Sequence, residues 1–228
     1  MTWNWQQQDW PHFTYDNTAL EPLEASLPHE CGVLFGACKH LDDDDKTQLT
    51  IEMISNEAQK TSEIEGEHLN RDSLHSSIRR HFGLATDNRK IPPAEQGMVD
   101  LYQSFREPLS HDRLYAWHGL QMPGRRDIAT IGRFRTGTGP MQVVSGPLHA
   151  PRIHFEAPPS GRVEAEMDAY IRWFNATAQT GQPPLPILAR AGIAHLYFVT
   201  IHPFEDGNER IGRALSEKAL AQGSMPLS

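Results

Sequence analysis

A chain of 228 residues with 38% hydrophobic content can bury one sizeable core or two small ones, and a formal charge of -8 excludes an overall basic footprint for nucleic acid. Cys31 and Cys38 lie in an apolar stretch, CGVLFGAC, where buried free thiols are commoner than a disulfide or half a zinc site, so a reducing compartment is expected. The start, MTWNWQQQDWPHF, lacks the basic opening and apolar core of a secretory signal, and no stretch approaches about eighteen uninterrupted apolar residues; the expected location is cytoplasmic, with no membrane partner.

Residues 3 to 15 carry Trp3, Trp5, Trp10, Phe13 and Tyr15 among polar neighbours, which suggests an extended arm whose aromatics dock on the body or on a partner. A satellite core is favoured over a ligand site. Leu20 to Leu41 reads as helical with Pro28 as a kink or break, and Asp42 to Lys46 as a solvated connection. From Thr47 to Glu65, helical periodicity puts Ile51, Ile54, Ala58 and Thr61 on one stripe, and Glu65 falls within it. Leu49, Met53 and Ile64 form a second stripe, so this helix is expected to be covered on more than one face. A carboxylate in a core stripe needs a cationic partner.

Gly66 stops that helix, and Asn70 to Phe82 forms another, with Asp72 or Ser73 as cap. Pro92 and Pro93 open a helix through Phe105, and Ser110 to Met122 reads as a further short one, ended by Pro123 and Gly124. Residues 131 to 160 change character, with scattered glycines and the runs MQVV and RIHFE predicting a small hairpin or flap. Helical periodicity returns from Val163 to Ala178. After Pro183 to Pro186, the segment Ile187 to Thr200 is apolar nearly all round except for Arg190 and His195, the pattern of a central buried helix.

That helix runs into His202-Pro203-Phe204-Glu205-Asp206-Gly207-Asn208-Glu209-Arg210-Ile211-Gly212-Arg213, within which a second helix begins. The loop's glycine and the opening amides of the new helix form an anion cradle, because unpaired N–H groups and the helix dipole both favour a phosphate. Arg210 and Arg213 share a helix face and can converge on one polyphosphate. Asp206 is a hard oxygen ligand suited to Mg²⁺ bridging phosphates. An imidazole at His202 can take a proton from an attacking hydroxyl there. Phe204 is expected to anchor the loop in the core.

HPFEDGNERIGR resembles the Fic signature, His-Pro-Phe-x-(Asp/Glu)-Gly-Asn-Gly-Arg-x-x-Arg, at every specified position but one. The resemblance implies a mainly helical Fic fold, all-α with a small β-hairpin flap, and a protein adenylyltransferase that moves AMP from ATP to a Ser, Thr or Tyr hydroxyl of a target protein. It implies His202 as base, Asp206 as Mg²⁺ ligand, Gly207, Asn208 and Glu209 in the nucleotide cradle, and Arg210 and Arg213 as clamps. Thr61-Ser62-Glu63-Ile64-Glu65-Gly66 is similar to the family's inhibitory motif, which pairs Glu65 with Arg213 as an internal brake. SGPLHAPRIHFEAPP resembles the flap over the active site, and WNWQQQDWPHFTYD an N-terminal domain fused to bacterial Fic proteins. The expected division is residues 1–90 as an N-terminal extension holding the inhibitory helix (about 47–66) and residues 91–228 as the Fic core, truncated at its C-terminal end.

Glu209 stands where the family has its second glycine. A side chain there restricts the backbone, and its charge opposes phosphate binding by about 1 kcal/mol at intermediate dielectric. Reduced transfer is the first expectation; removal of AMP by water and a catalytically silent interaction protein are the alternatives. A homodimer is compatible with the sequence, and nucleic acid is not an expected partner of this chain.

Overall fold

The computed structural model describes residues 2–64, 70–84, 104–105, 107–122, 125–147, 150–178 and 185–224. Seven α-helices and one two-stranded antiparallel sheet occur among them, the mainly helical class with a hairpin that the sequence predicts. At the centre lies α6 (Ile187–Ile201), with Ala191, Ala194, Tyr197, Phe198 and Ile201 all buried. Around it pack α4 (His111–Gln121) through Leu114 and Trp117, α5 (Ser160–Ala176) through Val163, Met167, Tyr170 and Phe174, and α7 (Asn208–Ser224) through Ile211, Leu215 and Ala219. The α5 residues recur at three- and four-residue steps, so one stripe of that helix supplies its buried apolar side chains, with Ile171 and Trp173 packed at the edge. Gly212 lets α6 and α7 close on each other: a Cβ there would stand 2.8 Å from Val199 Cγ1.

The N-terminal arm docks on the body. Trp10 and Phe13 pack against Tyr197 with ring centroids 5.1 and 5.4 Å away, and Trp10 Nε1 donates to Glu166 Oε2 at 3.0 Å. After the arm comes α1 (Asn17–Cys38), capped by Asp16, whose Oδ1 accepts from Thr18 N at 2.9 Å and Ala19 N at 3.3 Å. It continues through Pro22 and Pro28, so of the kink or break expected at Pro28 the break does not occur. No residue of α1 is buried, and water can satisfy the carbonyls that the prolines leave without a donor. Cys31 and Cys38 are free thiols as expected, but half-buried rather than enclosed.

Glu24 reaches from α1 to the start of α6, where its carboxylate accepts from Ile187 N (2.9 Å), Leu188 N (2.6 Å) and Ala189 N (3.1 Å). Pro186 at the N-cap offers no side-chain acceptor, so a residue distant in sequence caps the central helix.

The acidic string is not a loop. Asp42 Oδ1 accepts from Asp45 N at 2.8 Å, and Asp43, Asp44 and Asp45 form the first turn of α2 (Asp43–Ile64), where the helix dipole favours negative charge. Ile51, Ile54 and Ala58 bury against Leu74 and Ile78 of α3 (Arg71–His81), giving this helical pair its own small core. The second stripe is not covered: Leu49, Met53 and Ile64 are 37%, 54% and 68% exposed. Periodicity identifies a stripe but not whether a partner arrives to bury it. Glu65 and Gly66 lie outside the described residues, as does the Thr61 side chain, and so does the predicted Pro92–Phe105 helix apart from residues 104–105.

In the hairpin, β1 (Gln142–Ser145) pairs with β2 (Arg152–Glu156), placing Val143 opposite Phe155 and Val144 opposite Ile153 with an irregularity between the two valines. The arm fastens this flap: Trp5 Nε1 donates to the Glu156 carbonyl at 2.7 Å and Trp3 meets Phe155 edge-on at 5.5 Å. No described helix is long and apolar enough to cross a membrane.

Candidate functional site

The predicted loop joins α6 to α7, and its first residue, His202, ends α6 in the left-handed conformation (φ 51°, ψ 60°). A non-glycine residue held there is strained, and the surroundings fix it tightly. His202 N–H donates to Phe198 O at 3.0 Å, and its carbonyl accepts from Arg135 Nε at 2.7 Å. Its ring Nδ1 lies 3.3 Å from Val199 O, the contact of an Nδ1–H tautomer, which leaves Nε2 as the basic nitrogen. Burial lowers the imidazole pKa, opposed by the Val199 contact, so the neutral ring is favoured at neutral pH.

Phe204 is fully buried and stacks on His118 at 4.2 Å with 7° between planes, the core anchor that the sequence predicts. Asn208 closes the loop with a pair of bonds: Phe204 N donates to Asn208 Oδ1 and Asn208 Nδ2 donates to Phe204 O, both at 2.9 Å. The side-chain amide of Asn208 is thus engaged within the loop, and an anion would meet this residue through its backbone. Gly207 adopts φ 76°, and Ile211 N donates to Gly207 O at 3.1 Å as α7 begins. The opening N–H groups of that helix therefore point into the loop.

Asp206 Oδ1 accepts from Gly207 N at 2.6 Å, and its Oδ2 lies 2.8 Å from Arg125 Nη1. Among the described residues no three or more His, Cys, Asp or Glu side chains gather into a metal cluster. A lone carboxylate beside a phosphate cradle suits a hard cation that brings phosphate oxygens and water as its other ligands. Arg210 and Arg213 are half-buried on the first turns of α7.

The Glu209 side chain is 49% exposed, with a carboxylate oxygen 3.6 Å from His195 Nε2. The bond to His195 is the main cause of its lowered pKa, against the effect of burial, and the charges of His202 and Arg213 act in the same direction. Glu209 and His202 line one cavity of about 440 Å³, walled by Leu196 and Val199 of α6, Val143 and Phe155 of the flap, and Trp3 of the arm. The structure therefore gathers His202 and residues 206–213 around one loop. Glu65 lies outside the described residues, and its pairing with Arg213 remains an expectation.

Arg125, His118 and Arg135 belong to the site although the sequence reading passes over them. Arg135 is 4% exposed and donates through Nε to His202 O and through Nη2 to Pro158 O and Ile201 O, placing a cation at the carbonyl end of α6. His118 accepts from Gly132 N at 2.8 Å through Nδ1, and burial lowers its pKa. No local pattern marks His118, and for Arg125 and Arg135 the signal is the arginine-rich run that they bound.

Residues 108–220 match the Fic/DOC family, and residues 3–84 match a domain of unknown function, DUF4172. Among solved structures, a Fic family protein from Desulfovibrio desulfuricans superposes with a TM-score of 0.60 at 24% identity, over 93% of this chain and 60% of that one. A Fic domain containing signaling protein from Bacteroides thetaiotaomicron gives 0.64 at 18% identity, over 88% and 74%. Fic-1 from C. elegans gives 0.60 at 20%, over 92% and 61%. At these identities the likeness is one of fold, and the chain spans about three fifths of the first and third of these structures.

Proposed function

The chain belongs to the Fic/DOC family, and from that premise we propose that it transfers AMP from ATP to a Ser, Thr or Tyr hydroxyl of a target protein. The observation that carries this reading is the His202 ring, held neutral beside the amino end of α7 with Nδ1 on Val199 O. Nε2 takes the proton of the target hydroxyl, whose oxygen bonds to the α-phosphorus while the bond to pyrophosphate breaks. Arg210, Arg213 and the opening amides of α7 hold the phosphates and stabilise the charge on the departing pyrophosphate. Asp206 would hold Mg²⁺, which when bound neutralises phosphate charge. Glu65 restrains the reaction by engaging Arg213.

Glu209 weakens this activity, because its carboxylate stands beside His202 in the first turn of α7 and adds negative charge next to the amides that would receive phosphate. The same observation supports a second reading, a silent interaction protein. Labelling with α-phosphate-labelled ATP and Mg²⁺ in cell lysate separates them. Labelling that rises in Glu65→Gly and disappears in Glu65→Gly/His202→Ala is the expected result. Activity confined to Glu65→Gly/Glu209→Gly would favour the silent protein, and an undiminished signal in Glu65→Gly/His202→Ala would overturn the assignment of the base.

A further inference from the structure

Arg125 lies far from the signature in sequence, yet its guanidinium is shared between two carboxylates. Nε and Nη2 donate to Asp127 Oδ1 and Oδ2 at 2.7 and 2.6 Å, a two-pronged grip, while Nη1 reaches Asp206 Oδ2 at 2.8 Å. The other Asp206 oxygen accepts from Gly207 N. The same segment is tied to the loop a second time, through Ala129 N donating to Glu205 Oε2 at 2.8 Å. Each Asp206 oxygen thus has a donor, and one of those donors is a full positive charge fixed from outside the signature.

We propose that Arg125 is a tethered counter-ion of Asp206, which a divalent cation must displace to be seated on that carboxylate. The inference rests on the assignment of Asp206 as metal ligand in the proposed function. Two features favour exchange rather than a permanent bridge. Arg125 and Asp206 are 36% and 42% exposed, so water can replace the bridge as it opens, and exposed pairs of this kind are weakly held. Asp127 retains two of the three donors, so the guanidinium stays beside the loop after it leaves Asp206. With the pair closed, the Asp206 carboxylate is held against a fixed cation. With a metal in place, Arg125 stands free to face the phosphates that arrive with it.

The test is direct Mn²⁺ binding to the full chain without nucleotide, followed by the electron paramagnetic resonance signal of free Mn²⁺, in wild type, Arg125→Ala, Arg126→Ala and Asp206→Ala. Arg126→Ala removes an equal charge from the neighbouring position. The proposal expects Mn²⁺ to bind Arg125→Ala roughly two- to fivefold more tightly than wild type, the scale of one exposed ion pair, with Arg126→Ala unchanged and Asp206→Ala losing the site. Equal affinity in Arg125→Ala and wild type, or an equal gain in Arg126→Ala, would overturn the counter-ion role while leaving Asp206 as ligand. Mn²⁺ binding that is identical in Asp206→Ala and wild type would overturn the ligand assignment itself, and the proposal with it. Circular dichroism of each variant checks that the fold is retained.

Discussion

Replacing Gly207 by alanine tests whether the loop geometry comes from glycine itself. The residue has φ 76°, and a Cβ there would overlap Met122 Cε and stand 3.6 Å from Gln121 Oε1. Left-handed backbone costs a residue with a side chain about 1–2 kcal/mol. Met122 is 1% exposed, so it yields only by repacking, and overpacking adds about 1–3 kcal/mol. Since the obstructing atom is the tip of a flexible side chain, the lower part of that range applies, and the expected total is about 2–3 kcal/mol. Urea denaturation of Gly207→Ala should show a lowered midpoint with an unchanged slope. The Met122→Ala background then separates the two contributions, because without the Met122 tip the alanine costs only the backbone part, and the double mutant is less damaged than the sum. A loss below about 1 kcal/mol, or strict additivity with Met122→Ala, would refute the reasoning.

Three further outcomes follow from particular contacts. Glu24→Ala removes the carboxylate that caps α6 and should cost about 1–2 kcal/mol, with Glu24→Gln in between; an unchanged denaturation midpoint would show that water caps the helix equally well. Burial holds the pKa of His118 below its ordinary 6.5, so as pH falls the unfolded chain binds this proton first. Its contribution is therefore level above about 6.5, and stability declines as pH drops through that value toward the folded one. His118→Phe should flatten part of that slope, which urea midpoints between about pH 7.5 and 5.5 would reveal, and an identical slope would exclude His118 as a source. Trp5→Phe loses the bond to the Glu156 carbonyl, worth about 1 kcal/mol, and should speed amide exchange in β2 while leaving α6 unchanged.

Much of the site is legible locally because its chemistry is contiguous. His202 at a helix end, Gly207 before a new helix and Asp206 between them are marked as candidates by residue type, and the apolar run from Ile187 to Thr200 announces that the preceding helix is central. The flap shows itself by the same logic, through short β-branched runs between glycines. The aromatic density from Trp3 to Tyr15 likewise signals a docked arm, although the sequence does not choose between the body and a partner.

Where local rules compete, the sequence reading goes astray in identifiable ways. The acidic string reads as a loop because charge suggests solvation, yet Asp42 as cap and the dipole of α2 make it a helix start. Pro28 reads as a kink or break because an internal proline removes a donor, yet the helix does not end there, and with no buried residue that loss can be made good by water. Leu49 and Met53 look like a second buried face, and nothing in their own segment tells that the face remains exposed.

The sequence by itself determines periodicity, caps and the order of chemical groups along the loop, since each depends on residues within one or two turns. Only the tertiary structure decides that Glu24 caps α6, that Arg135 holds the His202 carbonyl, that Arg125 faces Asp206 and that Trp3 walls the cavity beside His202. Those partners are distant in the chain, and packing of the helices around α6 selects them: an arginine or glutamate finds its counterpart only after the apolar faces have fixed which helix ends lie together.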